Sequence, residues 1–379
     1  MKIWIPGPTH VRSEILEEQT RAMIGHRSKA MSELIERIDP PLRLAFGLAS
    51  GSGATVAVGN HSATAMMEGA LLGVGPRVLS VVNGSFSKRW AEIAKLLGKD
   101  VSVLEFAWGQ AVTGLQLEEA LKSALKAKRP FDAVTLVVCE TSTGVLTPLA
   151  PVGQALRSSP ETLLLVDVVS AIAGSALDFD AHGLDFALAG VNKALALPPG
   201  ITVMCASKRY LDGARTKKRM SWYLDPVRTI DGHVERKTPA TPVVTLYRAL
   251  ARQLEDITKG VTLPARDQGK TGAAAWSARF EKHARLRQAT LAWAARHGLA
   301  PFPPEPLSSP TVSCITAGGL DVTALIDALK KKGHEIGNGY DKLKGQTFRI
   351  GHMGDHTEQG LAELLQAMDE VFDSVRVRA

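Results

Sequence analysis

The chain has 379 residues, of which 45% are hydrophobic and 22% are charged, a composition typical of a globular protein and not of a disordered one. This length suffices for one large α/β domain and a smaller second domain. The N-terminus lacks a basic segment followed by a long apolar one, and no apolar stretch reaches membrane-spanning length. We therefore expect neither a signal peptide nor a membrane partner.

The formal net charge is +7, which raises the question of nucleic-acid binding. The basic residues are scattered along amphipathic segments, and the densest clusters are only Lys208-Arg209 and Lys217-Lys218-Arg219. No nucleic-acid motif or zinc pattern accompanies them, so we predict no nucleic-acid partner and no metal. A positive field instead suits small anionic molecules, which it attracts.

The three cysteines, Cys139, Cys205 and Cys314, lie in apolar segments with the pattern of strands. This context predicts buried thiols and not a disulfide framework. A cytoplasmic location is the corresponding expectation.

Apolar segments of strand length alternate with segments of helical spacing from about residue 55 to residue 207. Apolar runs of this kind are typical of strands buried on both faces of a parallel sheet. The pattern predicts a large α/β domain with a mostly parallel seven-stranded sheet flanked by helices, and ligands in such sheets bind beyond the carboxyl ends of the strands. The predicted strands are Thr55–Val58, Val78–Val82, Val101–Phe106, Ala133–Cys139, Leu163–Val169, Phe186–Ala189 and Ile201–Ala206, and the predicted helices are Ala63–Leu72, Trp90–Leu97 and Leu117–Ala127.

A second domain is predicted after two long helical segments, Val243–Ile257 and Gly272–His297. The segments that follow indicate the order strand, helix, strand, helix: Thr311–Thr316, Val322–Lys332, Thr347–His352 and Glu358–Val375. We therefore predict an N-terminal arm (1–15), a large domain (16–250) and a smaller C-terminal α+β domain (251–379).

Two residues stand out for their chemistry. Asp167 directly follows four apolar residues, and a carboxylate buried with them needs a positive partner, unless it caps the next helix. Lys193 follows a strand-like run and precedes a Pro-Pro-Gly turn. Desolvation there would lower the pKa of its amine and make it a nucleophile, whereas an ordinary lysine would be exposed. An acidic residue at the pyridine nitrogen and a lysine in a Schiff base are the two protein groups of pyridoxal 5'-phosphate (PLP) enzymes.

With these two residues, the chain resembles the class V aminotransferases of PLP fold type I, in particular the alanine–glyoxylate/serine–pyruvate group. The resemblance runs nearly end to end, and it implies the two-domain fold and the cofactor PLP. Besides the segments around Asp167 and Lys193, its landmarks are Pro6-Gly7-Pro8-Thr9, Gly25-His26-Arg27-Ser28, Asn83-Gly84, Glu140-Thr141-Ser142-Thr143-Gly144-Val145, Thr238-Pro239-Ala240-Thr241-Pro242 and Phe348-Arg349-Ile350-Gly351.

The resemblance also implies a set of cofactor contacts. The segment Ser62-Ala63-Thr64 would bind the phosphate at a helix N-terminus, where the family often has glycine. Asn192 would contact the phosphate or a neighbouring chain. Thr238 and Thr241 would reach the phosphate of the other subunit, which makes the protein an obligate homodimer with shared active sites.

Further residues take roles at the ring and at the substrate. Phe86 would stack on the pyridine ring or, alternatively, belong to the core, and Thr141 would lie beside the phenolic oxygen. Arg349 would bind the substrate α-carboxylate with two parallel hydrogen bonds, and His26 and Arg27 could add cationic groups.

The predicted activity is amino-group transfer from serine or alanine to glyoxylate or pyruvate with ping-pong kinetics. Phosphoserine aminotransferase stays open as an alternative. A cysteine desulfurase needs a cysteine on an exposed loop, and Cys314 lies in a strand pattern instead. A catalytically silent binding protein is disfavoured by the joint presence of Asp167, Lys193 and Arg349.

Overall fold

The computed structural model describes residues 1–218 and 220–376, so Arg219 of the predicted basic cluster lies outside the described residues. The strands are β1 (Lys2–Trp4), β2 (Thr55–Gly59), β3 (Arg77–Val82), β4 (Asp100–Glu105), β5 (Ala133–Val137), β6 (Cys139–Glu140), β7 (Val145–Leu146), β8 (Leu163–Asp167), β9 (Phe186–Gly190), β10 (Thr202–Ala206), β11 (Ser313–Thr316), β12 (His334–Asn338) and β13 (Thr347–Ile350). The helices are α1 (Ser13–Glu17), α2 (Lys29–Ala45), α3 (Ala63–Leu72), α4 (Ser85–Leu96), α5 (Gly114–Lys126), α6 (Leu149–Leu156), α7 (Lys208–Arg215), α8 (Pro226–Val234), α9 (Val244–Thr258), α10 (Gly272–Arg296), α11 (Val322–Lys331) and α12 (Glu358–Val371).

The large domain is built on a seven-stranded sheet with the strand order β2-β10-β9-β8-β5-β3-β4. Neighbouring strands from β9 to β4 run parallel, and β10 is antiparallel to both β9 and β2. The predicted strands, the mostly parallel sheet and the α/β class are therefore confirmed. Because β5, β8 and β9 are parallel neighbours, their carboxyl ends meet at one edge of the sheet.

Helices cover both faces of this sheet, as the alternation of side chains along β2 illustrates. Val56 and Val58 belong to the core shared with α2 and α9, whereas Ala57 belongs to the core shared with α3 and α4. Successive side chains of a strand point to opposite faces, so one strand contributes to both cores. Strands β5, β9 and β10 are buried along their whole length, which explains their unbroken apolar sequences.

The smaller domain has a four-stranded sheet in the order β1-β12-β13-β11, and its core includes Trp4, Trp293, Phe348 and Met368. The N-terminal strand β1 pairs in parallel with β12, so the predicted arm shares a sheet with the C-terminal segment. The predicted boundary at residue 250 falls within α9.

The described residues include neither a membrane-spanning helix nor a metal-ion site. No helix there has the length and apolar character needed to cross a bilayer. No group of histidine, cysteine and acidic side chains in that part of the chain is arranged to hold a metal ion.

Candidate active site

A buried pocket opens at the carboxyl edge of the large sheet, beside the ends of β5 and β8. Eleven residues line it, and six of them belong to the predicted cofactor site: Ala63, Thr64, Phe86, Thr141, Asp167 and Lys193. These residues come from α3, α4, the segment after β6 and the ends of β8 and β9. The fold thus brings together side chains that are up to 130 positions apart in the sequence (193 − 63).

Asp167 is the last residue of β8 and is only 4% exposed. One of its carboxylate oxygens accepts a hydrogen bond of 2.7 Å from the backbone N–H of Val169. Burial raises the pKa of Asp167 to about 7, whereas that hydrogen bond and the charge of Lys193 act in the opposite direction. Within the described residues this carboxylate has no ion-pair partner, so it can receive a cationic group of a ligand.

Lys193 lies three residues after the end of β9, in the same pocket. Its Nζ donates a hydrogen bond to the backbone oxygen of Pro6. Burial lowers the pKa of Lys193 to about 8, and the nearby charge of Arg349 lowers it further. An amine with such a pKa is partly neutral near pH 8 and can act as a nucleophile.

Gly7 lies against the side chain of Lys193 in a backbone conformation that favours glycine. Its backbone φ is +97°, and a Cβ atom there would lie 2.3 Å from Cδ of Lys193. The landmark Pro6-Gly7-Pro8 therefore has a steric reason: the N-terminal segment closes the pocket over the lysine.

Phe86 is held at the pocket by Glu140, whose carboxylate is fully buried. The two oxygens of Glu140 accept from the backbone N–H groups of Phe86 (3.3 Å) and Ser87 (2.9 Å) in the first turn of α4. A Cβ on Gly84 would lie 2.4 Å from Cγ of Glu140, so a larger residue here would displace the side chain of Glu140. Glu140 had no predicted role, although a carboxylate that closely follows a buried apolar strand is a recognisable signal in the sequence.

The N-terminus of α3 lies beside the pocket. The N-cap residue of α3 is Ser62, which is exposed. The Ser62 hydroxyl accepts no hydrogen bond from the first N–H groups of the helix, so these groups can bind another acceptor. The hydroxyl of Thr64 accepts from Nη1 of Arg89 at 3.1 Å. The backbone oxygen of Asn192 accepts from the N–H of Thr9, and its side chain makes no hydrogen bond within the described part of the chain. These features suit an anion at the start of α3.

Arg349 connects the smaller domain to the pocket. Its Nε donates to the backbone oxygen of Asn338 (2.8 Å), and its Nη1 donates to the backbone oxygen of Thr141 (3.2 Å). The hydroxyl of Thr141 shares a hydrogen bond of 2.6 Å with that of Ser170. Burial lowers the pKa of Arg349, and its Cζ lies 5.3 Å from the ring centroid of Tyr340. No carboxylate of the described residues pairs with this guanidinium, which leaves it available for one from a substrate.

Seven predicted residues do not line this pocket within a single chain. Ser62, Asn192 and Arg349 were described above, and the other four are Thr238, Thr241, His26 and Arg27. Thr238 lines a separate surface pocket, where its hydroxyl oxygen is buried without a hydrogen-bond partner among the described residues. Thr241 and Arg27 are exposed, and His26 is half-buried in the loop before α2.

The backbone beside Lys193 is anchored from behind by Arg279 of α10, which is fully buried. Its guanidinium donates to the backbone oxygens of Ala194 (2.7 Å) and Ala173 (3.0 Å) and pairs with Asp355 at 2.9 Å. Asp355 also pairs with Arg12 at 2.7 Å. These arginines hold the pKa of Asp355 well below its usual range. The network joins the N-terminal segment, the lysine segment and the smaller domain.

We predict that Asp355→Asn lowers the free energy of unfolding by about 3 kcal/mol, because it leaves the Arg279 guanidinium buried without its counter-charge. Since folding depresses the pKa of Asp355, its contribution is present above the pKa of the unfolded chain and is lost as the pH falls through the folded value. Urea unfolding at pH 7 measures the loss, with Asp373→Asn, at an exposed carboxylate, as the control. Equal stability of Asp355→Asn and the wild type would contradict this role.

All three cysteines are free and buried, as predicted. Burial raises the pKa of Cys314 to about 11, which disfavours the thiolate that a desulfurase needs. Cys139 lines the pocket, and burial raises its pKa to about 11 as well.

Comparison with known proteins agrees with this geometry. The family model Aminotransferase class-V matches residues 51–258, more than half of the chain. A serine–glyoxylate aminotransferase of Methylorubrum extorquens is 29% identical over 375 residues, covering 95% of this chain and 88% of that protein. A protein named as the small subunit of a soluble hydrogenase from a Synechococcus strain is 27% identical over 374 residues, covering 98% and 92%. The crystal structure of an alanine–glyoxylate aminotransferase from Nostoc sp. has a TM-score of 0.86 and 25% identity, covering 98% of this chain and 94% of that one.

A part-buried lysine and a buried aspartate at the carboxyl edge of this sheet are the protein groups that PLP needs, and the start of α3, with no side-chain cap on its first N–H groups, suits a phosphate. The fold is that of the PLP-dependent transferases of fold type I. The chain belongs to the class V aminotransferase family, so it is a PLP-dependent aminotransferase. The predicted family, fold, cofactor and enzyme class are confirmed.

Proposed function

We propose that this enzyme moves the amino group of serine or alanine to glyoxylate or pyruvate, with the first keto acid leaving before the second binds. The observation that carries the proposal is one buried pocket that contains Lys193 and Asp167, with the guanidinium of Arg349 bonded to its wall. The pair of Lys193 and Asp167 favours amino transfer over a hydrogenase activity, which the name of the Synechococcus relative would suggest. The names of the Methylorubrum and Nostoc proteins support glyoxylate as an acceptor.

Lys193 and Asp167 carry the proton chemistry in this proposal. When bound, PLP supplies an electron sink that weakens the Cα–H bond of an amino acid. Lys193 would hold the cofactor through Nζ, and its amine, when free, would accept the proton from the donor Cα. The carboxylate of Asp167 would face the pyridine nitrogen and hold a proton there, and this positive charge would offset the desolvation that raises the pKa of Asp167.

The remaining pocket residues bind and orient. Phe86 and Thr141 line the pocket, where Phe86 would pack against the ring and Thr141 would lie beside its oxygen. Ser62, Ala63 and Thr64 at the start of α3, with Asn192, would bind the phosphate.

A second copy of the chain would complete the site. The buried, unpartnered hydroxyl of Thr238 supports a role for Thr238 and Thr241 at the phosphate of a partner subunit, in a homodimer with shared active sites. His26 and Arg27 stay proposed as substrate contacts across the same interface. Neither lines the pocket of its own chain, so within one chain these two residues favour neither a phosphorylated nor an unphosphorylated serine donor. The free thiols fit a cytoplasmic location.

A panel of amino donors against glyoxylate, pyruvate and 2-oxoglutarate tests the proposed substrates. We expect the highest kcat/KM for serine or alanine with glyoxylate or pyruvate, measured as keto-acid formation in stopped assays. A strong preference for phosphoserine with 2-oxoglutarate would sink this assignment in favour of the alternative.

The Arg349→Gln variant tests the carboxylate contact. Because glutamine removes the charge and one of two parallel donors, kcat/KM for the amino donor should fall about 10- to 100-fold. The variant should still bind its full complement of cofactor, since Arg349 lies outside the group of residues that lines the cofactor pocket. The exposed Arg296→Gln serves as the matched control. A donor without a carboxylate, such as 2-aminoethanol, should not distinguish Arg349→Gln from the wild type, and an equal loss for both donors would refute the contact.

A further inference from the structure

The proposed phosphate site has an unbalanced charge. PLP carries a phosphate that is close to a dianion at neutral pH. The residues assigned to it, Ser62, Ala63, Thr64 and Asn192 with Thr238 and Thr241 of a second copy, have no charged side chain. The helix N-terminus of α3 supplies only about half an elementary charge. The residues that were predicted from the sequence to bind the phosphate therefore include no cationic side chain to balance its charge.

Arg89 is in a position to supply this charge. It lies in the second turn of α4 and lines the pocket together with Thr64 and Asp167. Its Nη1 donates to the hydroxyl of Thr64 at 3.1 Å, which ties the guanidinium to the start of α3. Its Cζ lies 5.0 Å from the ring centroid of Phe86, so the side chain packs below the proposed ring-stacking residue.

The guanidinium of Arg89 also lacks an acceptor for most of its donors. Its bond to Thr64 is its only hydrogen bond in the described part of the chain, and no carboxylate there forms an ion pair with it. The adjacent Lys88 differs, since its exposed side chain pairs with Glu92 at 3.6 Å on the outer face of the same helix. A half-buried guanidinium with four unused N–H donors at a pocket wall is suited to an anionic ligand.

Two anions could occupy that position, namely the cofactor phosphate and the substrate carboxylate. Arg349, the proposed carboxylate ligand, reaches the pocket from the smaller domain through Thr141, whereas Arg89 is bonded to the second residue of α3. The location at the helix N-terminus favours the phosphate.

We propose that Arg89 is a cofactor-binding residue whose guanidinium, held by Thr64, pairs with the 5'-phosphate at the N-terminus of α3. The inference rests on the cofactor site proposed above and adds to it the one cation of this chain at the phosphate. If Arg89 had only a structural role, its replacement would weaken the binding of ligands with and without a phosphate equally. The proposal requires instead that binding is weakened for the ligand with a phosphate.

The experiment compares two ligands that cannot form a covalent bond with Lys193, pyridoxamine 5'-phosphate and pyridoxamine. Each is titrated into the full-length protein after removal of cofactor, and binding is followed by quenching of tryptophan fluorescence. For Arg89→Gln we expect the Kd of pyridoxamine 5'-phosphate to rise about 10- to 100-fold, as for a lost charge-assisted hydrogen-bonded pair. The Kd of pyridoxamine should change less than about threefold.

Two further variants serve as controls. Lys88→Gln removes the same charge from the outer face of α4 and should leave both Kd values unchanged. Arg89→Lys keeps the charge and loses the planar fork of donors, so the loss for the phosphorylated ligand should be about 3- to 10-fold. If Arg89→Gln fails to give a cooperative melting curve, the Kd values of Arg89→Lys test the proposal in its place.

Equal weakening of both ligands, or no weakening of the phosphorylated one, would overturn the role of Arg89. Failure of the proposed cofactor site itself would look different, because the wild type would then bind neither ligand. A loss confined to the ligand with a phosphate supports the proposal.

Discussion

Replacing Lys193 by alanine is expected to lower kcat by about 10⁴-fold and to remove the visible absorbance of the lysine-linked cofactor. The amine is the one group of the pocket that can both attach the cofactor and move the α-proton, and burial keeps it partly neutral by lowering its pKa to about 8. The spectrum of the purified protein and a steady-state assay with the best donor measure the two effects.

The control for this variant is Lys208→Ala, at an exposed lysine of α7 that pairs with Asp212. It should keep full activity and colour. Added methylamine should restore part of the activity of Lys193→Ala, because a small amine can enter the space that the side chain leaves and accept the proton. A coloured, fully active Lys193→Ala enzyme would refute the assignment.

The sequence predicted the large domain well because its strands are buried on both faces, and this burial leaves unbroken apolar runs. It did not predict β12, whose sequence His334-Glu335-Ile336-Gly337-Asn338 is polar and contains glycine. That strand exists because β1 and β13 pair with its two edges. It also did not predict α2, which contains Pro40 and Pro41. Tertiary packing overrides local propensity in these segments.

Lys193 and Asp167 were recognisable because each is a charged residue next to an apolar segment. Arg89 and Arg279 gave no such signal, since both lie on helices with an ordinary content of charged residues. Their importance follows from the contacts of Arg89 with Thr64 and of Arg279 with Ala194. Contacts between distant helices and loops depend on the packed structure, which a local pattern does not encode.

Asp167→Asn should have opposite effects on activity and on the stability of the cofactor-free protein. Asparagine has the same shape and can still accept from the N–H of Val169, but it cannot hold a proton on the pyridine nitrogen as a counter-charge. We expect kcat to fall about 10²- to 10³-fold, which a steady-state assay at saturating cofactor measures.

The stability effect follows from the raised pKa of Asp167. Folding raises this pKa from 3.8 to about 7, so a proton is bound more tightly in the folded, cofactor-free protein than in the unfolded chain. The stability associated with that proton is complete below the unfolded pKa and is lost as the pH rises through about 7. Above this pH the buried carboxylate destabilises the cofactor-free protein by up to about 4 kcal/mol, and asparagine avoids the penalty.

Cofactor-free Asp167→Asn should therefore melt at a higher temperature than the cofactor-free wild type at pH 8, and the two should converge near pH 4. Bound cofactor should reverse the order at pH 8, because only the aspartate gains an ion pair with the ring nitrogen. Asp178→Asn, on a carboxylate in an exposed turn, is the control and should not shift the melting temperature in this way. A wild type that is more stable than Asp167→Asn at pH 8 without cofactor would show that the carboxylate has a partner within the protein and is not reserved for the cofactor.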